Sequence, residues 1–421
     1  MNFLNEYLVA LSRAVSSSDA PTIKELLRAD GAASQQAVYA RAQLTPNQVR
    51  GAAASKLYPP WAAVAAAHLQ AVVQLQEGNV EAAATAYNSE NAPHLLLVDA
   101  INEEPADVAL AAAFERTMSN ARHLAELADR QLAAQGQKTG KVEQCGSQLQ
   151  QAISRMGLPK GDYIPGKRRA HLALVCMLLR VYFKLNNIQG CTQMARTVMG
   201  QYGQRDSDVI DLREFPAMYR VTFFYFLGRT ELYNENVELA AKRLGDALAA
   251  CRRDAEDHKR NILRYLVPCK MLQGELPDPG LLQRYGLTEY EDMRAAMAAG
   301  DVGLFHRALA AQQYRLVRTG LYLLVDKLQV AVYRRLIKKC VIVNRELKGP
   351  DKAHQLPLAL VQGVLAQQGA GVDMDELECI VANLVVREAL KGYIAHKQKV
   401  LVVSKDAAFP PPSALWWQDP F

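Results

Sequence analysis

Most of the chain has the apolar and polar spacing of helices joined by short turns. One turn pattern recurs four times: a helix ends in polar or Gly residues, and a Val or Ile opens the next helix. These turns are Glu77–Val80, Leu185–Ile188, Asn234–Val237 and Ala299–Val302. Gly and Asn tolerate the left-handed conformation that closes a helix, and Asn or Asp can cap the helix that follows. Because the turns are irregularly spaced, the pattern predicts a degenerate array of antiparallel helix pairs, like tetratricopeptide-type solenoids.

The pattern changes after about residue 313. Residues Gln313–Lys348 predict one long helix or two abutting helices, and Pro357–Gln368 predicts a shorter one. A third helix is predicted over Asp373–Leu390, where the Asp is a plausible N-cap. Two β-rich pieces follow, Gly392–His396 and Lys399–Val403, and together they predict a hairpin. Three helices followed by a hairpin is the order of a winged-helix module.

These patterns predict a mainly α fold: a right-handed helical-repeat solenoid that ends in a C-terminal winged helix. The expected parts are an N-terminal helical lead-in (1–160), a helical-repeat part (161–324), a winged-helix part (325–406) and a Pro- and Trp-rich extended tail (407–421). A chain of 421 residues could hold two to four domains. The continuous helical pattern instead predicts one extended unit.

Composition supports a folded helical protein, since half of the residues are hydrophobic and only 7% are aromatic. The seven cysteines are odd in number and form no C-x-x-C pair, which is typical of reduced thiols in an intracellular protein. No apolar run approaches the roughly 18–20 residues of a membrane span. We therefore expect a soluble cytoplasmic or nuclear protein without a membrane span.

Motifs for catalysis, cofactors and metals are not recognisable in the sequence. The segment Gly136–Lys141 resembles a phosphate loop only superficially, because it has three residues between its glycines, and Val142 stands where Ser or Thr would bind magnesium. The histidines lack paired metal-ligand spacing. Asp373, Asp375, Glu376 and Glu378 are explained by helix-start electrostatics. We expect a protein that is not an enzyme and carries neither cofactor nor metal.

Basic residues concentrate near the C-terminus, where Gln313–Phe421 carries +5 of the net charge of +6. At about 100° per residue, five cations of the long helix fall within roughly 80° of arc, with a sixth on the flank. The candidate nucleic-acid-binding residues on this helix are Lys327, Arg334, Arg335, Lys338, Arg345 and Lys348. The hairpin region adds Lys391, His396, Lys397, Lys399 and Lys405.

Such a surface could neutralise several phosphates and bind RNA or DNA with little sequence specificity. Two alternatives stay open, namely a solvated helix face and a docking surface for an acidic protein. In helix-turn-helix proteins the start of the recognition helix enters the major groove. Here that helix begins with acids, from Asp373 to Glu378. We therefore expect contact through the wing and the preceding basic helix, not through base readout.

Several segments resemble the PCI domain-containing protein 2 family, the Thp-type subunits of the nuclear transcription-coupled mRNA export complex. They are Val221–Arg229, Arg260–Leu272, Asp326–Lys339, Asp373–Leu384, Lys391–His396, Leu401–Lys405 and Phe409–Pro411, and the resemblance covers roughly 165–411. It implies a PCI domain in a non-enzymatic scaffold subunit, paired side by side with a large PCI-type scaffold protein. It also implies a small acidic subunit shared with the proteasome lid, which would clamp the helical array. Two juxtaposed winged helices would then bind RNA or DNA.

The leading hypothesis is a nuclear scaffold subunit that couples transcription to mRNA export and binds nucleic acid. Nuclear-pore and cytoplasmic pools are further expectations. The alternative is a purely protein-binding PCI subunit of a COP9 signalosome, proteasome-lid or translation-initiation type assembly. The uncompensated basic charge favours the first.

Overall fold

The computed structural model describes residues 2–39, 46–103, 107–157, 165–202, 212–349 and 354–411. It divides into two compact units, Met1–Tyr219 and Arg220–Phe421. The division falls inside the helix Ala217–Tyr233. The domain boundaries expected from the sequence stay predictions. No helix among the described residues is long and apolar enough to cross a membrane. Residues 412–421 of the predicted tail, which include Trp416 and Trp417, lie outside the described residues.

The first unit is built from helices. Their bounds are α1 Asn2–Ser16, α2 Ala20–Leu26, α3 Ala32–Tyr39, α4 Pro46–Ala54, α5 Trp61–Gln76, α6 Val80–Tyr87, α7 Pro93–Glu103, α8 Val108–Ala134, α9 Lys141–Met156, α10 Pro165–Lys184 and α11 Ile188–Tyr202, followed by α12 Ala217–Tyr233. Helix α8 packs against α2, α6, α7, α9 and α10. Helix α8 therefore forms the centre of this unit. Its buried alanines allow the neighbouring helices to approach closely.

Glu115 of α8 ties several helices of the first unit together. Its carboxylate lies 2.5 Å from the Lys24 ammonium and 3.5 Å from the Arg169 guanidinium, and it accepts a hydrogen bond from the Tyr219 hydroxyl. The neighbouring carboxylate is one reason, after burial, why the pKa of Tyr219 is raised well above its usual range. This acid therefore acts as a structural hub.

The second unit holds the later repeats and the winged helix. The repeat helices are α13 Val237–Ala250, α14 Glu256–Leu272, α15 Pro279–Arg284, α16 Glu291–Ala299, α17 Val302–Thr319 and α18 Tyr322–Asp326. The remaining elements are α19 Leu328–Lys348, β1 Gln355–Pro357, α20 Leu358–Gln367, α21 Met374–Val386, β2 Gly392–Ala395 and β3 Val400–Val403. The strands form an antiparallel sheet in the order β1-β3-β2.

The four predicted turns are confirmed in the structure. Each closes the preceding helix with one left-handed residue, and these are Gly78, Asn186, Glu235 and Gly300. At the last of them, Asp301 caps α17 by accepting a hydrogen bond from the Leu304 amide at 2.8 Å. A side chain on Gly300 would also meet the Leu336 backbone, with the Cβ 2.8 Å from its nitrogen. This glycine therefore meets two requirements, a positive φ and a close approach of α16 to α19.

The mainly α fold with helical repeats and a C-terminal winged helix is confirmed. The hairpin and the Asp373 cap are observed, and Asp373 accepts from the Glu376 amide at 2.7 Å. The prediction for Gln313–Lys348 was wrong, because the segment holds the end of α17, then α18 and α19. Gly320, in the left-handed conformation, ends α17. Strand β1 was not predicted, since three residues carry too little pattern to recognise.

Candidate nucleic-acid interface

Arg334 of α19 does not lie on an exposed basic face, which corrects the sequence prediction. Its side chain is buried, with the whole residue 8% exposed. Its Nε donates to the Ala389 carbonyl at 3.1 Å, and its Nη2 donates to the Pro410 carbonyl. The guanidinium also lies 5.8 Å from the centre of the Phe409 ring. Burial lowers the pKa of Arg334 from its usual value. This cation anchors residues that follow β3 and is not available to a phosphate.

Two other cations of α19 cap a neighbouring helix. Arg335 donates to the Ala298 carbonyl at 3.3 Å, and Lys339 donates to the Ala299 carbonyl at 2.6 Å. These carbonyls end α16, where the helix dipole favours positive charge. Arg335 is exposed, but this contact gives it a structural role. Lys339 has the same role, because its ammonium is bound to the last carbonyl of α16.

Lys327 lies at the rim of a pocket. Its ammonium is 3.2 Å from the Glu235 carboxylate. The pocket has a volume of about 150 Å³, and its apolar lining includes Tyr233, Leu321 and Leu324. Lys327 is therefore already paired within the second unit, which makes it a weaker candidate for phosphate contact.

The sheet has a base, where β2 begins and β3 ends, and this base lies beside α19. Asn344 of α19 donates to the Gln355 carbonyl of β1 at 2.9 Å. The Ser404 amide donates to the Lys391 carbonyl at 2.8 Å. Five cations lie on α19 and at the base, and none has an ion pair or a side-chain hydrogen bond to any described residue. They are Lys338, Arg345, Lys348, Lys391 and Lys405, here called the basal group.

The wing tip, at the other end of the sheet, carries a different set of basic side chains: His396, Lys397 and Lys399. His396 Nδ1 lies 2.8 Å from Glu378 Oε2, and the Lys399 ammonium lies 3.0 Å from the same oxygen. Asp375 is 3.8 Å from Lys399. Of the three side chains, only that of Lys397 lacks a partner in the described structure. A four-residue strand spans about 13 Å, so the single basic wing expected from the sequence is divided into a base and a tip.

Glu378 is the residue that sequence reasoning interpreted incompletely. Helix-start electrostatics explains Asp373, but Glu378 instead faces the wing. Burial alone would raise the pKa of Glu378, whereas the hydrogen bonds from Lys399 and His396 hold it below its usual value. Nothing in the local sequence signals a contact across 21 residues.

Gly136–Lys141 resembles a phosphate loop only superficially, and its contacts give the physical reason. The Asp129 carboxylate accepts from the backbone amides of Gly140, Lys141 and Val142 at 2.8, 2.8 and 3.0 Å. Burial would raise the pKa of Asp129, but these amides lower it below its usual value. An internal carboxylate thus occupies the helix N-terminus where a phosphate would bind. Among the described residues, no group of three His, Cys, Asp or Glu side chains could hold a metal ion.

Comparisons with known proteins agree with this architecture. The family model described as "PCI domain" matches residues 309–405. Enhanced ethylene response protein 5 of Arabidopsis thaliana is 37% identical, over 69% of this chain and 67% of that protein. PCI domain-containing protein 2 of Xenopus laevis is 32% identical, over 70% of this chain and 71% of that protein. PCI domain-containing protein 2 of Danio rerio is 29% identical over 98% of both. The similarity thus extends into the N-terminal helices.

Proposed function

Because the chain belongs to the PCI domain-containing protein 2 family, we propose that it is a non-enzymatic scaffold subunit of a nuclear complex that couples transcription to mRNA export. In this proposal the basal group binds the phosphates of RNA or DNA, largely without sequence specificity. The family supports the scaffold role, since PCI proteins act in multi-subunit complexes. The nuclear location and the binding of RNA or DNA are proposed in addition to that role.

The observation that carries the proposal is that the basal group has no ion-pair or side-chain hydrogen-bond partner among the described residues. Arg345, Lys348, Lys391 and Lys405 are exposed, and Lys338 is half-buried. Two exposed acids, Glu346 and Asp406, lie on the same segments and leave the basal group in excess. Cations without internal partners can release counterions from a phosphate backbone, and this release drives non-specific binding.

The proposed protein partners follow from the family. They are a large PCI-type scaffold protein of the export complex and a small acidic subunit of the proteasome-lid type. The winged helix would lie beside that of the scaffold protein, so that the two basic surfaces form one platform. The acidic subunit would clamp the helical repeats.

A purely protein-binding role is the second candidate, and one observation favours it. Three apolar residues near the C-terminal end of α19 are exposed: Ile342 and Val343 by 48% each and Leu347 by 75%. They lie on the same turns as Arg345 and Lys348. Exposed apolar side chains beside cations are also typical of protein interfaces. A COP9 signalosome, proteasome-lid or translation-initiation type assembly would be the setting.

Binding of a short single-stranded polyuridylate across a salt series separates the two candidates. We expect the combined change Arg345→Gln, Lys391→Gln and Lys405→Gln to weaken binding at least about tenfold at low salt. The slope of log affinity against log salt should flatten by about 2, since each lost phosphate contact contributes ~0.7. Fluorescence anisotropy would measure both quantities.

The control changes three exposed cations elsewhere that also lack partners in the described structure: Lys56→Gln, Lys138→Gln and Lys184→Gln. It removes the same total charge. If both triple variants lose affinity equally, the contact is not localised at the basal group. If the unmodified chain shows no salt-dependent affinity, alone or with its scaffold partner, the protein-binding role is favoured.

A further inference from the structure

We propose that Glu378 masks two basic side chains of the wing tip, those of His396 and Lys399, and so sets how many basic groups the winged helix presents to nucleic acid. The inference rests on the proposed function, because it concerns the same nucleic-acid interface. One carboxylate oxygen, Oε2, receives both His396 and Lys399. While these contacts hold, Lys397 is the wing-tip cation without a partner in the described structure.

The two masked side chains remain within reach of an external phosphate. The His396 side chain is 72% exposed and that of Lys399 is 37% exposed, whereas the Glu378 side chain is only 12% exposed. A ligand can therefore approach the two side chains from solvent without entering the protein. The acid lies beneath them and draws their charge toward α21.

The backbone of the wing tip is fixed independently of the masking contacts. The Lys399 carbonyl accepts from the Leu358 amide at 2.9 Å, at the start of α20. The backbone of Lys399 is in the left-handed conformation, with φ of 54°. The Lys399 side chain can consequently exchange Glu378 for a phosphate while the backbone stays in place. Such an exchange requires rotation about side-chain bonds only.

The Glu378 carboxylate is not fully satisfied in the masked arrangement. Its second oxygen, Oε1, is buried and accepts no hydrogen bond from any described residue. A buried carboxylate with one unsatisfied oxygen gains less from its contacts than a fully paired one. A backbone phosphodiester offers two exposed non-bridging oxygens as acceptors to the same side chains, and its binding releases counterions as well. Nucleic acid can therefore compete with Glu378 for His396 and Lys399.

The test compares Glu378→Gln with Glu376→Gln in the full chain. Both changes remove one negative charge from α21, but Glu376 is exposed and contacts neither wing cation. With the polyuridylate probe, we expect Glu378→Gln to bind several-fold more tightly and to steepen the salt slope by about 0.7 to 1.4, for one or two additional contacts. We expect Glu376→Gln to change the affinity less than twofold and to leave the slope unchanged.

Other results would contradict the proposal that Glu378 masks His396 and Lys399. If Glu378→Gln and Glu376→Gln give the same slope while the unmodified chain binds in a salt-dependent way, the mask is wrong and the proposed function stands. If Glu378→Gln binds more weakly than the unmodified chain, Glu378 orders the wing for binding instead of masking it. If no variant shows salt-dependent binding, the proposed function and the mask both fail.

A second measurement needs neither nucleic acid nor a variant. Amine acetylation of the unmodified chain, read residue by residue by mass spectrometry, should modify Lys397 several-fold faster than Lys399. Faster modification of Lys399 at raised salt would support masking by an ion pair, because salt screens exposed charges. Equal rates for the two lysines at low salt would overturn it.

Discussion

Replacing Gly303 with Ala is expected to cost about 3 kcal/mol or more of folding stability in the second unit. A Cβ at this position overlaps the carbonyl oxygen of Gln368 and lies 2.8 Å from its carbonyl carbon. Both are backbone atoms, so no side-chain rotation relieves the clash, and one helix must move. For a unit of about 200 residues this corresponds to a fall in Tm of roughly 6–12 °C.

The effect is large because Gly303 lies where the repeat helices meet the winged helix. The Gln368 side chain accepts from the Val302 amide at 2.9 Å and donates to the Gly300 carbonyl at 3.1 Å. The end of α20 is thus bound directly to the start of α17. A displacement here would break both hydrogen bonds and shift α20 of the winged helix.

Gly363→Ala in α20 is the matched control for Gly303→Ala. It is the same chemical change within a helix, but a Cβ there meets no atom within 4 Å. Ala is a better helix former than Gly by about 1 kcal/mol, so this variant should melt at the same temperature or higher. Thermal unfolding followed by circular dichroism measures both variants. Equal melting temperatures would show that the close approach at Gly303 does not exist.

The sequence predicted those parts of the fold that depend on local interactions. Helix pairs are encoded by apolar spacing and by turn residues such as Asn79 and Asp301, each of which caps the helix that follows it. The break after α17 was missed because an isolated glycine, Gly320, is ambiguous within a helical pattern. Strand β1 depends on pairing with β3, more than 40 residues later in the chain, which no local pattern reveals.

The candidate site was predictable as a concentration of charge but not as a geometry. Helical angles place Arg334, Lys338 and Arg345 on one face of α19, and two of the three have no internal partner in the described structure. Angles say nothing about what packs on that face. The contact from Arg334 to Pro410 spans 76 residues, and that from Lys399 to Glu378 spans 21. Which cations are free is decided by these long-range contacts.

Replacing Arg334 with Met should lower stability by about 3 kcal/mol and leave nucleic-acid binding unchanged. The change removes two charged hydrogen bonds, each contributing roughly 1.5–3 kcal/mol, and leaves the Ala389 and Pro410 carbonyls without this donor. It also removes the cation above the Phe409 ring. Denaturant unfolding measures the first effect, and the polyuridylate salt series measures the second.

Arg334→Lys distinguishes the structural role from a phosphate contact. Lysine keeps the charge but cannot hold two carbonyls in the fixed geometry of a guanidinium. If Arg334 anchors Phe409 and Pro410, the lysine variant should also lose stability, by at least about half as much as the methionine variant. If Arg334 instead contacts phosphate, Arg334→Met should flatten the salt slope by ~0.7 at unchanged stability, and Arg334→Lys should bind normally. The Arg334 guanidinium is buried and donates two hydrogen bonds to backbone carbonyls, which favours the first result. We therefore expect Lys391→Gln, not Arg334→Met, to flatten the salt slope.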